Sequence, residues 1–145
     1  MTTRAKNPPL PHEPIPVCCA IIEHQGKILI AQRGHKGSNA LQWEFPGGKQ
    51  EAGESPEECL LREIMEELSV EVQILAKLTS VTYSYPDKTI TLIPFVCQYS
   101  GSTITPREHK SICWISPDNI SGFTLSEADI KVWQHYLLYC NAATK

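Results

Sequence analysis

The six cysteines form no C-x-x-C pair and carry no zinc-ligand spacing, which removes a structural zinc centre from consideration. No signal peptide stands ahead of them, so the compartment rule makes them free, buried or partly buried thiols of a reducing cytosol, and the expected location is cytoplasmic. Apolar runs are all too short to cross a bilayer, so no membrane is expected as partner. Positive charge is scarce too. Lys and Arg number 13 against 16 Asp and Glu, a net charge of -3 that leaves no basic footprint for a nucleic-acid duplex. Internal repeats and low-complexity tracts are absent.

What remains is an ordinary globular composition: 145 residues, 41% hydrophobic, enough to bury a core without covalent staples. Residues 1–14 hold Pro8, Pro9, Pro11 and Pro14 among polar neighbours and read as a flexible arm. Residues 15–145 read as a single domain. A strand over 17–23, a turn at Gln25-Gly26 and a returning strand over 27–32 make a hairpin. A polar loop runs through Ser38 and Asn39 to residues 41–45, and Pro46-Gly47-Gly48 forces irregular backbone.

Ser55-Pro56-Glu57-Glu58 is a helix start, with a capping serine, proline in the first turn and Glu58 completing a capping box. This helix runs to about Leu68. Extended segments follow at 70–78 and 81–85, with a turn at Pro86-Asp87-Lys88. The stretch 89–99 is the longest strand, and its Pro94 implies a bulge or an edge position. A short strand at 111–115 precedes a final helix opening at 126–129. Strands on both sides of one helix, with a second helix closing the chain, give an α/β sandwich around a mixed sheet.

The informative stretch runs from Gly48 to Val70. On its helix Glu63, Glu66 and Glu67 stand at i, i+3 and i+4 and share a face, while Leu60, Leu61, Ile64, Met65 and Leu68 line the other side. Like charges so placed repel by a few tenths of a kcal/mol per pair, about what an opposite pair would contribute. A hard divalent cation among the carboxylates would remove that repulsion. Arg62 could hold one carboxylate through a forked pair. Gly47 and Gly48 let the backbone approach a metal or phosphate closely. Taken alone, E-x-x-E-E is a common solvated helix face; the glycines at this spacing make it less so.

The same stretch resembles the Nudix hydrolase signature, with Gly48, Glu54, Arg62, Glu63, Ile64, Glu66, Glu67 and Val70 in register. Ser69 stands where that pattern has glycine. Just past a helix the backbone is commonly left-handed, and a non-glycine residue there costs on the order of 1 kcal/mol. A small loss of stability or a slightly altered helix exit is expected, with the chemistry intact. The similarity extends over roughly residues 15–140 and resembles the MutT branch, through 31–33, 43–48, 85–88, 90–92 and Trp114. The resemblance implies a Nudix-type α/β/α sandwich with a central mixed sheet, a catalytic helix after the Gly-Gly loop, and a C-terminal helix.

It also implies an activity: hydrolysis of a nucleoside triphosphate to the monophosphate and diphosphate, by water attacking the β-phosphorus. An acidic protein needs a cation to bind such an anion, here magnesium, with manganese able to substitute. Glu67 and the Gly47 carbonyl would hold the ion on the nucleotide. Glu63 and Glu66 would complete the cluster as ligands, or take a proton from water. Glu108, six residues before Trp114, is either an ordinary loop residue or a further ligand or base. Glu54, Arg62 and Gly48 are supporting residues.

Arg33 reads equally as a phosphate contact or a surface arginine, Phe45 as a base contact or core, and Pro46 and Gly47 beside it as further substrate-binding candidates. Asp129 reads as a first-turn residue facing the helix dipole or as the group that recognises the base. A carboxylate accepts hydrogen bonds and donates only when protonated. The first substrate candidate is 8-oxo-dGTP, in nucleotide-pool sanitisation; (d)CTP or a modified pyrimidine triphosphate follows because of Asp129. Two rivals are a non-catalytic nucleotide or ADP-ribose sensor and a purely structural acidic-helix domain. The expected assembly is a monomer or small homo-oligomer.

Overall fold

The computed structural model describes residues 13–35, 40–107, 109 and 111–143. The proline-rich arm lies outside them except for Glu13 and Pro14, as do Ser38, Asn39 and Glu108. Strands β1 (Ile15–His24) and β2 (Lys27–Gln32) form the expected hairpin. Its two turn residues, Gln25 and Gly26, take φ of 52° and 78°, the left-handed pair that suits twisted strands joined by two residues. Next come β3 (Trp43–Glu44), β4 (Gly47–Lys49) and helix α1 (Pro56–Leu68). They are followed by β5 (Val72–Lys77), β6 (Val81–Tyr85), β7 (Lys88–Tyr99) and β8 (Ser111–Ile115). A 3-10 turn at Pro117–Gly122 leads to α2 (Glu127–Ala143).

All eight strands join one mixed sheet. β1 lies at its centre, parallel to β7 from Ile15↔Ile90 to Glu23↔Gln98. Its other edge is shared, β4 pairing near the start and β2 near the end. Alternation along β1 builds the two layers: Cys18, Ala20 and Ile22 face α1, while Cys19 and Ile21 face α2. On the α1 side they pack with Leu60, Ile64, Leu68 and Phe95; on the α2 side with Val96, Val132, Trp133 and Tyr136. The result is the expected α/β/α sandwich.

Helix α1 begins and ends where its residues direct. The Ser55 hydroxyl accepts from Glu58 N at 3.1 Å, and the Glu58 carboxylate accepts from Ser55 N at 2.8 Å, closing the capping box. At the other end Ser69 adopts φ 59° and ψ 35°, so the left-handed exit is kept and not altered, and its N–H bonds to Met65 O.

Two expectations need correction. Gly47 and Gly48 are not irregular: they form β4, with Cys19↔Gly47 and Cys18↔Gly48 in register. A Cβ on Gly47 would fall 1.8 Å from the Cys18 carbonyl oxygen, so its glycine serves a close approach to β1. Pro94, in turn, lies in a central strand, with β1 on one side. On the other side it falls between the pairings of β6 (Lys88 to Leu92) and β5 (Phe95 to Tyr99), where no ladder N–H is required. The register shift lies farther along, between Ile74 and Ala76 of β5, opposite Cys97 and Val96.

Candidate active site

Beside β4 opens a cavity of about 700 Å³, a volume typical of small-molecule sites. The expected residues Gly47, Gly48, Glu67, Arg33, Phe45 and Asp129 all line it. So do Glu44, Lys49, Lys88 and His109, which sequence reasoning did not assign to a site. Its wall thus carries Arg33, Lys49 and Lys88 against Glu44, Glu67 and Asp129.

Four carboxylates gather around Arg62. Its Nε and Nη2 hold Glu54 in a forked pair at 2.7 and 2.8 Å, and Nη1 reaches Glu63 at 2.9 Å, Glu66 at 3.2 Å and Glu51 at 3.7 Å. The guanidinium's hydrogen bonds push the Glu54 carboxyl down to about 2, with the Glu51 N–H helping. Repulsion among the helix carboxylates is therefore offset within the protein, by Arg62 rather than only by an ion. Glu66 stays largely exposed, and neither it nor Glu63 lines the cavity.

The donors are carboxylates and backbone carbonyls, a set that suits a hard divalent cation. Gly48 contributes by lacking a side chain: a Cβ there would meet the Glu63 carboxylate at 2.2 Å. That cradle keeps Glu63 directly beside the glycine loop. Among the described residues, however, no three His, Cys, Asp or Glu side chains converge on one point. The donor chemistry fits magnesium, with Glu63 and Glu66 drawn toward Arg62 instead of together.

A second network braces the cavity lining. Glu44, on β3, accepts from Arg33 Nη1 at 3.0 Å and pairs with His109 Nε2 at 2.9 Å. Burial of His109 opposes its charged form, but the Glu44 hydrogen bond and the nearby charges of Glu67 and Glu44 outweigh it and raise the imidazole above 6.5. His109 stands next to Glu108 in sequence, and Glu44 next to Phe45. Their neighbours were the only available signal, because the pairing joins residues 65 positions apart.

Asp129 is held at the start of α2. Ser126 Oγ donates to its Oδ2, Asp129 N bonds back to Ser126 Oγ at 3.4 Å, and Phe45 N donates to Oδ1 at 3.5 Å. Tyr85, from β6, caps the same end by accepting from Ala128 N at 3.1 Å. Burial pushes the Asp129 carboxyl up to about 7, against the hydrogen bond from Ser126. Asp129 is thus both a capping residue and part of the cavity wall. Phe45 likewise belongs to the core, its ring centroid 6.2 Å from that of Trp133, while lining the cavity. Pro46 holds the turn into β4 through its carbonyl, which accepts from Ala20 N at 2.8 Å.

The chain is similar to known proteins over most of its length. The profile of the NUDIX domain matches residues 12–136. The CTP pyrophosphohydrolase of Escherichia coli K12 is 35% identical over 123 residues, covering 85% of this chain and 91% of that protein. The 8-oxo-dGTP diphosphatase of Proteus vulgaris is 39% identical over 93 residues, or 64% of this chain and 81% of the relative. Among solved structures, that of the E. coli ORF135 protein superimposes with a TM-score of 0.78 at 33% identity, covering 94% of this chain and 97% of that one.

Proposed function

The chain belongs to the Nudix family of hydrolases, and on that footing we propose that it converts a nucleoside triphosphate and water to the monophosphate and diphosphate. Its catalytic unit is residues 15–145. The observation that carries the reading is the mixed lining of one cavity, which holds Gly47 and Glu67 together with Phe45 and Asp129. It combines hard oxygen donors with an aromatic residue and a buried carboxyl.

Magnesium, or manganese in its place, would be held by Glu67 and the Gly47 carbonyl, with Glu63 and Glu66 completing the donor set. Such an ion neutralises phosphate charge and lowers the pKa of bound water. Arg33, oriented by Glu44, meets a phosphate through charge-assisted hydrogen bonds. Glu63 or Glu108 takes the proton from the attacking water. Arg62 and Glu54 hold the glycine loop and Glu63 in place through the contacts around the guanidinium.

The first substrate candidate remains 8-oxo-dGTP. (d)CTP or a modified pyrimidine triphosphate is the second, favoured by Asp129 and by the similarity to a protein named CTP pyrophosphohydrolase. As a carboxylate, Asp129 accepts from the exocyclic amino group of cytosine; as a neutral acid, it donates to an acceptor on the base. A panel of canonical and oxidised triphosphates incubated with magnesium tests the reading. Diphosphate release from at least one is expected, and release from none rejects it. Glu67→Gln should remove most turnover while the fold survives.

A further inference from the structure

Ser69 is the one position at which this chain departs from the Nudix signature, and its backbone carries the strain that glycine would avoid. Its side chain is not idle. Ser69 Oγ accepts a hydrogen bond from Arg107 Nε at 3.0 Å, across 38 positions of sequence. Arg107 belongs to the connection between β7 and β8, and its backbone N–H bonds to Glu67 O at 2.9 Å. Two residues earlier Thr105 N bonds to Leu68 O at 2.8 Å. Three consecutive residues at the end of α1 therefore grip this connection: Glu67 and Leu68 with their carbonyls, Ser69 with its hydroxyl. Two positions beyond Arg107, His109 enters the cavity wall and pairs with Glu44.

We propose that Ser69 and Arg107 are positioning residues that clamp the β7–β8 connection to the end of the catalytic helix, and so hold His109 in the active-site wall. A glycine at 69 can make the backbone turn but offers no acceptor to Arg107. The departure from the family pattern exchanges backbone ease for a side-chain tie between two segments that both reach the cavity. The positioning claim is structural; only its kinetic readout rests on the proposed function.

The test separates strain from attachment. Ser69→Gly relieves the left-handed backbone, so the melting temperature is held or raised. The loss of the tie nevertheless speeds amide hydrogen exchange at Arg107 and lowers kcat/KM, each by about two- to tenfold, the range for one hydrogen bond. Ser69→Asn tolerates the same backbone and supplies a carbonyl acceptor; it restores both. Arg107→Gln gives losses like those of Ser69→Gly, and combining the two adds little. Wild-type exchange and wild-type kcat/KM in Ser69→Gly, or losses that simply multiply in the double variant, overturn the proposal. If the unaltered protein hydrolyses no triphosphate, the proposed function fails by itself, and exchange at Arg107 still decides the clamp.

Discussion

The Gly48 backbone and the Glu63 carboxylate lie in direct contact: a methyl group on the glycine would overlap the carboxylate, its carbon 2.2 Å from Cδ. Gly47, next in the chain, is crowded by something quite different, the Cys18 carbonyl of β1 at 1.8 Å. The clashing partner is a flexible side-chain end in one case and a strand backbone in the other.

Their alanine variants should separate accordingly. Gly48→Ala pushes Glu63 aside and leaves the sheet alone, so its melting temperature changes little. Misplacing a reacting group by about 1 Å costs on the order of a hundredfold in turnover. Gly47→Ala must part β4 from β1, and overpacking of that kind destabilises by about 3 kcal/mol. Thermal unfolding and kcat measured on both variants check the contrast; equal effects on stability would refute it.

Asp129 makes stability depend on pH in an unusual direction. Its carboxyl titrates near 7 when folded and near its ordinary 3.8 when unfolded. Between those values the folded state binds the extra proton, so the contribution of Asp129 is full below about pH 4 and is lost as pH rises through 7. Asp129→Asn should lack this decline and gain on the wild type across that window. Denaturant midpoints at pH 4.5, 6 and 7.5 read it out. Parallel curves for the two proteins would show that the buried acid is ionised throughout.

Around Arg62 the sign is the opposite. Glu54 is held down to about 2 by the guanidinium, so its contribution is present above its ordinary 4.5 and is lost as pH falls toward 2. In Arg62→Gln the Glu54 carboxyl should return toward 4.5, followed by its carboxyl carbon signal in an NMR titration. An unchanged titration would mean that another group holds Glu54.

Most of this was legible in the chain itself. The Ser55 cap, Pro56 and the run ending at Leu68 marked α1, and of the stretch from Gly48 to Glu67 the two end residues line the cavity. The extra strands β3 and β4 were not legible, because two or three residues carry no periodicity. Their existence is decided by distant partners, β2 for Trp43–Glu44 and β1 for Gly47–Lys49. Glu44 and His109 were hidden for the same reason, since neither has a local pattern and each acquires meaning from the other.

That pair supplies a fourth expectation. The imidazole of His109 should titrate above 6.5, and Glu44→Gln should bring it down, because burial then acts with less opposition. Ring nitrogen shifts across pH 5–9 would show it. A wild-type midpoint below 6.5 would remove the proposed ion pair.

Pro94 sits at the seam where β6 gives way to β5 along the flank of β7. With no N–H to offer, it acts as an insulator between two neighbours of one long strand. The bulge in β5 is thereby quarantined from β6, whose Tyr85 fastens the start of α2. Inserting or deleting a residue in β5 can consequently slip its alignment without transmitting the error to the wall that holds Asp129.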